Sequence, residues 1–173
     1  MTELELERTF LAKKIPEDLR KCESIELIDI YIPREAEHPT LRIRKKGEKR
    51  EITKKEPTHK EDSSKQAEHT IHLTEKEYDA LTKIKGKKLW KKRYKYPYNG
   101  RTAEIDVFQG PLKGLVLIDF EFNTEGEKKD FRMPEFCLAD VTQEKFAAGG
   151  MLCGKKYSDI KKELEKYGYK KIK

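Results

Sequence analysis

Polar and apolar residues alternate with a period of two through much of this chain, which predicts strands with one buried face. Over residues 3–10, Glu3, Glu5, Glu7 and Thr9 alternate with Leu4, Leu6, Arg8 and Phe10. Arg42, Arg44 and Lys46 oppose Leu41 and Ile43 over 41–46, and Glu51, Thr53 and Lys55 surround Ile52 over 50–55. The same alternation runs through 67–73, with Glu68, Thr70 and His72. It recurs through 89–95 with Lys91, Arg93 and Lys95, and through 103–108 with Glu104 and Asp106. In 115–122, Asp119 and Glu121 alternate with Val116, Ile118, Phe120 and Phe122. Residues 25–32 are Ile-rich and end in Tyr31-Ile32-Pro33, a further strand.

Turn signals separate these runs. Lys46-Gly47-Glu48 and Tyr98-Asn99-Gly100 suit tight hairpins, since Gly and Asn tolerate positive φ. Glu125-Gly126 closes the strand before it, and the polar stretch Pro57 to Gln66 reads as a loop. Thr74 and Glu77 form a capping box for a helix presenting Tyr78, Leu81 and Ile84 before Gly86. Thr142 starts a short helix through Phe146, stopped by Gly149-Gly150. Ser158 starts a last one with the stripe Ile160, Leu164 and Tyr167, stopped by Gly168. About eight strands in hairpin order predict an antiparallel sheet able to close on itself.

The strands' polar faces decide between two arrangements. In an ordinary sheet they face water and mix Lys, Glu, Thr, Ser and Gln. Here one strand offers only acids and another only bases, at i, i+2 and i+4. The alternative is a closed barrel with ionic faces lining a wet lumen. Unpaired buried charges would cost several kcal/mol each. A lumen holding a polyanion and a divalent metal would relieve that cost, because carboxylates suit hard cations and guanidinium suits phosphate.

Composition limits the remaining choices. The 173 residues fit one domain, with 41% charged, 35% apolar and a formal charge of +7. No run approaches the roughly 20 apolar residues of a membrane span. The acidic N-terminus lacks the apolar segment of a signal peptide. Cys22, Cys137 and Cys153 are too scattered for a disulfide framework and suit free thiols in a cytoplasmic protein. Lys83 to Lys95 holds eight cations and no acid, interleaved with Trp90 and Tyr94. With Lys91 and Arg93 turned inward, the others are solubilising, so nucleic acid is not the expected partner. Gly149 to Lys156 nearly spells a phosphate-binding loop but lacks its hydroxyl residue, and reads as a glycine-rich connection.

Six segments in order carry a resemblance to a known family. Glu5-Leu6-Glu7-Arg8-Thr9 resembles the Glu-x-Glu-x-Lys opening strand of the CYTH superfamily, the triphosphate tunnel metalloenzymes. Leu41-Arg42-Ile43-Arg44, Ile52-Thr53-Lys54-Lys55, Lys91-Lys92-Arg93-Tyr94, Glu104-Ile105-Asp106 and Asp119-Phe120-Glu121 follow in the family's order. Thr9 stands where the family has lysine, and Gln66-Ala67-Glu68-His69-Thr70 where it often reads Arg-x-Glu-x-Glu.

The resemblance implies an α+β fold: an eight-stranded antiparallel closed β-barrel, a tunnel open at both ends, with helices packed on the outside. Residues 1–173 would be a single CYTH-like domain, with tunnel strands over about 3–142 and a C-terminal helical segment over about 142–173. It implies Mg²⁺- or Mn²⁺-dependent hydrolysis of a small triphosphate, inorganic triphosphate first. The alternatives are a class IV adenylyl cyclase and a non-catalytic polyphosphate-binding module. Glu5, Glu7 and Glu121, with Asp119 as a weaker candidate, would bind metal. Arg42, Arg44, Lys55 and Arg93 would hold phosphate. Lys91 paired with Tyr31 would activate the attacking water, and Glu68, Glu104 and Asp106 would support the basic residues or the metal. The expected partner is a small triphosphate rather than a membrane, bound by a monomer or homodimer.

Overall fold

A computed structural model describes residues 2–59 and 62–173. The strands are β1 (Thr2–Ala12), β2 (Ser24–Ile32), β3 (Leu41–Lys46), β4 (Lys49–His59), β5 (Asp62–His72), β6 (Lys87–Tyr98), β7 (Arg101–Phe108), β8 (Val116–Phe122) and β9 (Cys137–Asp140). They run antiparallel in the order β5-β4-β3-β2-β6-β7-β8-β1-β9, and β5 also pairs with β1. That last pairing closes eight strands into a barrel and leaves no free edge among them. β9, which no alternation announces, adds to the C-terminal half of β1.

Asn99 and Gly100 take positive φ of 47° and 73°, as the β6–β7 turn requires. Pro57 to Gln66 corrects the sequence reading. Residues 57–59 and 62–66 are not loop, because β4 and β5 stay paired through Pro57↔Gln66 to His59↔Asp62, with a bulge near Pro57, while residues 60 and 61 lie outside the described residues. This ladder runs past the apolar core, so its side chains carry no hydrophobic alternation. The Gln143 side chain ties it down, donating to Asp62 at 3.0 Å and accepting from the Ser63 amide at 2.9 Å.

The apolar faces of β1, β7 and β8 point outward. Leu6, Phe10, Ile105, Ile118 and Phe120 are buried beneath Leu19, Phe131 and Phe136. Tyr98 meets Phe136 edge to face at 5.2 Å, and each such large side chain contributes about 1.5–3 kcal/mol through burial. Helix α1 (Glu75–Leu81) lies against β4, with the predicted capping box in place. The Thr74 hydroxyl accepts from the Glu77 amide at 3.3 Å, and the Thr74 amide donates to the Glu77 carboxylate at 2.7 Å. Helix α2 (Glu125–Asp130) follows β8 and packs on β1 and β8.

The C-terminal segment seats on one end of the barrel. Helix α3 (Gly149–Leu152) begins at the glycine pair predicted to stop a helix. Helix α4 (Tyr157–Glu165) starts one residue before Ser158, with the Asp159 carboxylate accepting from the Lys156 amide at 2.8 Å. Phe146, Leu152, Ile160 and Leu164 pack on Leu11, Tyr31, Leu89, Phe108 and Leu117, the inward residues at that end. The Tyr169 hydroxyl accepts from the Val116 amide and donates to the Gly114 carbonyl, both at 2.9 Å. The expectation of a tunnel open at both ends is thereby corrected. Its inward residues at this end are apolar, and the α4 stripe covers them.

Candidate active site

Strand alternation sends the remaining ionic residues inward, and contacts that skip a strand confirm their direction. Arg42 of β3 reaches past β4 to Glu68 of β5 at 3.3 Å. The Lys55 ammonium of β4 reaches past β5 to β1, where it lies 2.6 Å from Glu5 and 3.0 Å from Glu7. Arg93 of β6 reaches past β7 to Asp119 of β8 at 3.4 Å. Within a sheet such pairs meet only across the concave lumen. Arg8, of opposite parity on β1, instead faces outward and binds Asp140 at 2.6 Å.

Asp106 holds the centre of the basic wall. It is 1% exposed, accepts two bonds from the Arg93 guanidinium at 2.6 and 2.7 Å, and binds the Lys91 ammonium. Arg93 also binds Glu104. Burial would raise the Asp106 pKa, but these two cations outweigh it and hold the carboxyl well below the usual range. For Lys91, burial pushes the pKa down. Asp106 opposes this, while Arg93 and Arg44 reinforce it. Lys55 goes the other way: burial would lower its pKa, but Glu7 and Glu5 raise it.

The acidic wall is crowded. Glu7 lies directly opposite Glu121, and Thr9 opposite Asp119. The Thr9 hydroxyl donates to Asp119 at 2.7 Å. Burial, Asp106 and Glu7 together push the Asp119 carboxyl up to about 7. Glu121 makes no ion pair among the described residues, and its pKa is raised by burial and by Glu104, Glu5 and Glu7. Among the described residues no three acids converge on one point as they stand. The donor set nonetheless suits a hard divalent cation. Carboxylate oxygens repel one another across β1, β7 and β8, and the Lys55 ammonium already serves as a cation between two of them.

The structure thus gathers Glu5, Glu7, Asp119, Glu121, Glu104, Asp106, Glu68, Arg42, Arg44, Lys55, Lys91 and Arg93 in one lumen. It does not bring Tyr31 to Lys91. Tyr31 pairs across β6 with Lys87, four positions from Lys91, or roughly 13 Å along a strand. Its hydroxyl abuts Gly149, where an added Cβ would lie 2.2 Å away, and burial raises its pKa. The sequence reading missed Asp29, which pairs with Arg44 at 2.6 and 2.8 Å. Its position between Ile28 and Ile30, on the same parity as Tyr31, was the available signal. Thr53 and Thr70, whose hydroxyls lie 3.1 Å apart, are likewise inward.

Comparison with known proteins agrees with this fold, although no family model matches the chain. A curated inorganic triphosphatase of Nitrosomonas europaea is 28% identical over 144 residues, covering 82% of this chain and 91% of that protein. The crystal structure of an inorganic triphosphatase superposes with a TM-score of 0.64 at 24% identity, covering 87% of this chain and 94% of that one. A putative adenylate cyclase of Bacillus halodurans superposes with a TM-score of 0.55 at 16% identity, covering 99% and 94%, and shares the fold. Barrel and lumen define a closed antiparallel tunnel with facing acidic and basic walls. In sequence and in fold the chain is similar to inorganic triphosphatases.

Proposed function

We propose that this protein hydrolyses a small triphosphate, inorganic triphosphate first, with the help of a divalent metal. The observation that carries the reading is Arg42. Among the described residues its Nε is buried without a hydrogen-bond partner, and its one ion pair there, with Glu68, is long at 3.3 Å. A buried guanidinium donor left unsatisfied costs about 1–3 kcal/mol, and a phosphate would satisfy it bidentately, with Nε–H and an Nη–H donating to two of its oxygens. Arg44 and Arg93 face the same space and would take further phosphate oxygens. The related triphosphatase of Nitrosomonas europaea supports the substrate class.

Glu5, Glu7 and Glu121 would hold Mg²⁺ or Mn²⁺, which supplies charge neutralisation to the phosphates when bound. Binding would exchange partners, with the lumen carboxylates turning to the metal and the cations to phosphate. Lys91, whose pKa burial lowers, is our choice for accepting a proton from the attacking water as its neutral amine, with Asp106 placed to hold the ammonium so formed. Tyr31, kept neutral by burial, would serve as a hydroxyl donor near Arg42 at the closed end rather than as a base. The apolar plug leaves substrate to enter from the opposite mouth. We also place the protein in the cytoplasm. No helix among the described residues is long and apolar enough to cross a membrane, and its three cysteines are free.

A phosphate-release screen with triphosphate, ATP and thiamine triphosphate, each with Mg²⁺ or Mn²⁺, tests the proposal. Phosphate from triphosphate, lost on chelation and in Glu7→Gln, is the expected result. Cyclic nucleotide plus pyrophosphate from ATP would instead indicate a cyclase. Binding without turnover under either metal would leave only a binding module.

A further inference from the structure

The two arginines of β3 are held very differently. Arg42 has its long contact with Glu68 and an unpaired Nε. Arg44 has a carboxylate to itself. Asp29 Oδ1 accepts from Nε at 2.6 Å and Oδ2 from Nη2 at 2.8 Å, the two residues directly opposite in the β2–β3 ladder. Asp29 is 1% exposed, and its other cross-strand neighbour is the apolar Leu89. Burial favours its protonation, yet Arg44, Arg42 and Lys91 hold its pKa down, so it is an anion at neutral pH. Glu51, opposite Arg44 on β4, forms no ion pair with it. Asp29 occupies two of the five guanidinium N–H donors and leaves three directed elsewhere.

We propose that Asp29 is a positioning residue that locks Arg44 into a fixed anion-binding pose in the lumen. The proposal rests on the reading of that lumen as a triphosphate site. A bidentate carboxylate fixes the plane of a guanidinium, so its free donors need no reordering when phosphate arrives. Arg42 is the adjustable partner, and Arg44 the fixed one.

The sign of the effect separates positioning from simple charge. Asp29→Asn adds one positive charge to the lumen, and charge alone would tighten binding of a polyanion. Positioning requires the opposite. Triphosphate Kd by titration calorimetry should rise at least tenfold, and kcat/KM should fall at least 30-fold. Glu51→Gln adds the same charge without removing an ion pair from Arg44, and should bind triphosphate no more weakly than wild type. Asp29→Glu keeps the charge but displaces the pairing plane by a methylene, and should still lose at least fivefold in kcat/KM. In an Arg44→Lys background, Asp29→Asn should add less than twofold.

Tighter or unchanged binding by Asp29→Asn, or wild-type activity in Asp29→Glu, overturns the proposal. If Asp29→Asn does not fold at the assay temperature, Asp29→Glu and Arg44→Lys decide alone, with wild-type behaviour in both counting against it. Should the wild-type protein bind triphosphate without releasing phosphate, the hydrolase reading fails and the same Kd series still decides the role of Asp29. Should it bind no triphosphate, the site reading and this proposal fall together, whereas normal turnover with an unaffected Asp29→Asn refutes this proposal alone.

Discussion

Asp106→Asn is the most demanding single test of the lumen as a balanced ionic interior. Asp106 is 1% exposed and holds both Lys91 and Arg93. Arg93 keeps Glu104 and Asp119 when Asp106 is neutralised, but Lys91 loses the carboxylate that pairs with it. Removing one partner from a buried pair costs about 3–5 kcal/mol, because the other charge stays desolvated. At about 2–4 °C per kcal/mol for a chain of this size, Tm should fall by about 6–20 °C near pH 7. The pH dependence has a definite sign. The folded pKa of Asp106 is depressed below its unfolded value of 3.8. Its stabilisation is therefore complete above 3.8 and fades as pH drops towards the folded value. The gap between wild type and variant should narrow in acid. Thermal unfolding followed by circular dichroism from pH 2.5 to 8 reads both effects. A variant melting within 2 °C of wild type at pH 7 would refute the argument that this pair is buried and dependent on Asp106.

Asp119 should behave in the opposite sense. Its pKa is raised from 3.8 to about 7, so the folded state loses stability as pH rises through that window. The full shift corresponds to roughly 4 kcal/mol. Asp119→Asn should therefore gain stability over wild type at pH 8 but not at pH 4, as urea unfolding at the two pH values will show. Arg42→Ala should raise KM for triphosphate at least tenfold in steady-state assays. Its Tm should move by less than about 3 °C, since the side chain has one long ion pair and an unpaired Nε. Gly149→Ala drives a methyl to 2.2 Å from the Tyr31 hydroxyl. It should cost about 1–3 kcal/mol by chemical denaturation as the plug backs away.

Much of this molecule is legible in the sequence because a barrel strand reports its two environments by parity. Glu5 and Glu7 against Leu6, Arg42 and Arg44 against Ile43, and Asp106 against Ile105 and Val107 each give inward and outward faces directly. What parity does not give is depth along the tunnel. Leu11, Leu89, Phe108 and Leu117 have the same parity as the ionic residues but lie under the C-terminal plug. Only the three-dimensional path of residues 141–172 reveals that this end is apolar. Depth also explains Tyr31 and Lys91, which share a face but stand four ladder positions apart. The Pro57–Gln66 ladder failed for a related reason. It extends past the core, where neither face is required to be apolar.

The same geometry explains how so many charges survive inside a small domain. Each basic site residue facing the lumen meets an acid on another strand: Arg42 with Glu68, Arg44 with Asp29, Lys55 with Glu5 and Glu7, Lys91 and Arg93 with Asp106. Such pairs add little net stability, because desolvation offsets most of their attraction. The fold is held instead by the apolar outer face around Phe10, Phe120 and Phe136, and by the plug around Leu152 and Leu164. Stability and chemistry therefore occupy opposite parities of the same strands. Substitutions of inward ions other than the most buried carboxylates, Asp29 and Asp106, should impair function more than folding, and substitutions of outward aromatics the reverse. Arg42 and Phe120 sit on opposite sides of the wall, and their alanine variants form the contrasting pair. The argument fails if Arg42→Ala unfolds the barrel or Phe120→Ala leaves Tm unchanged.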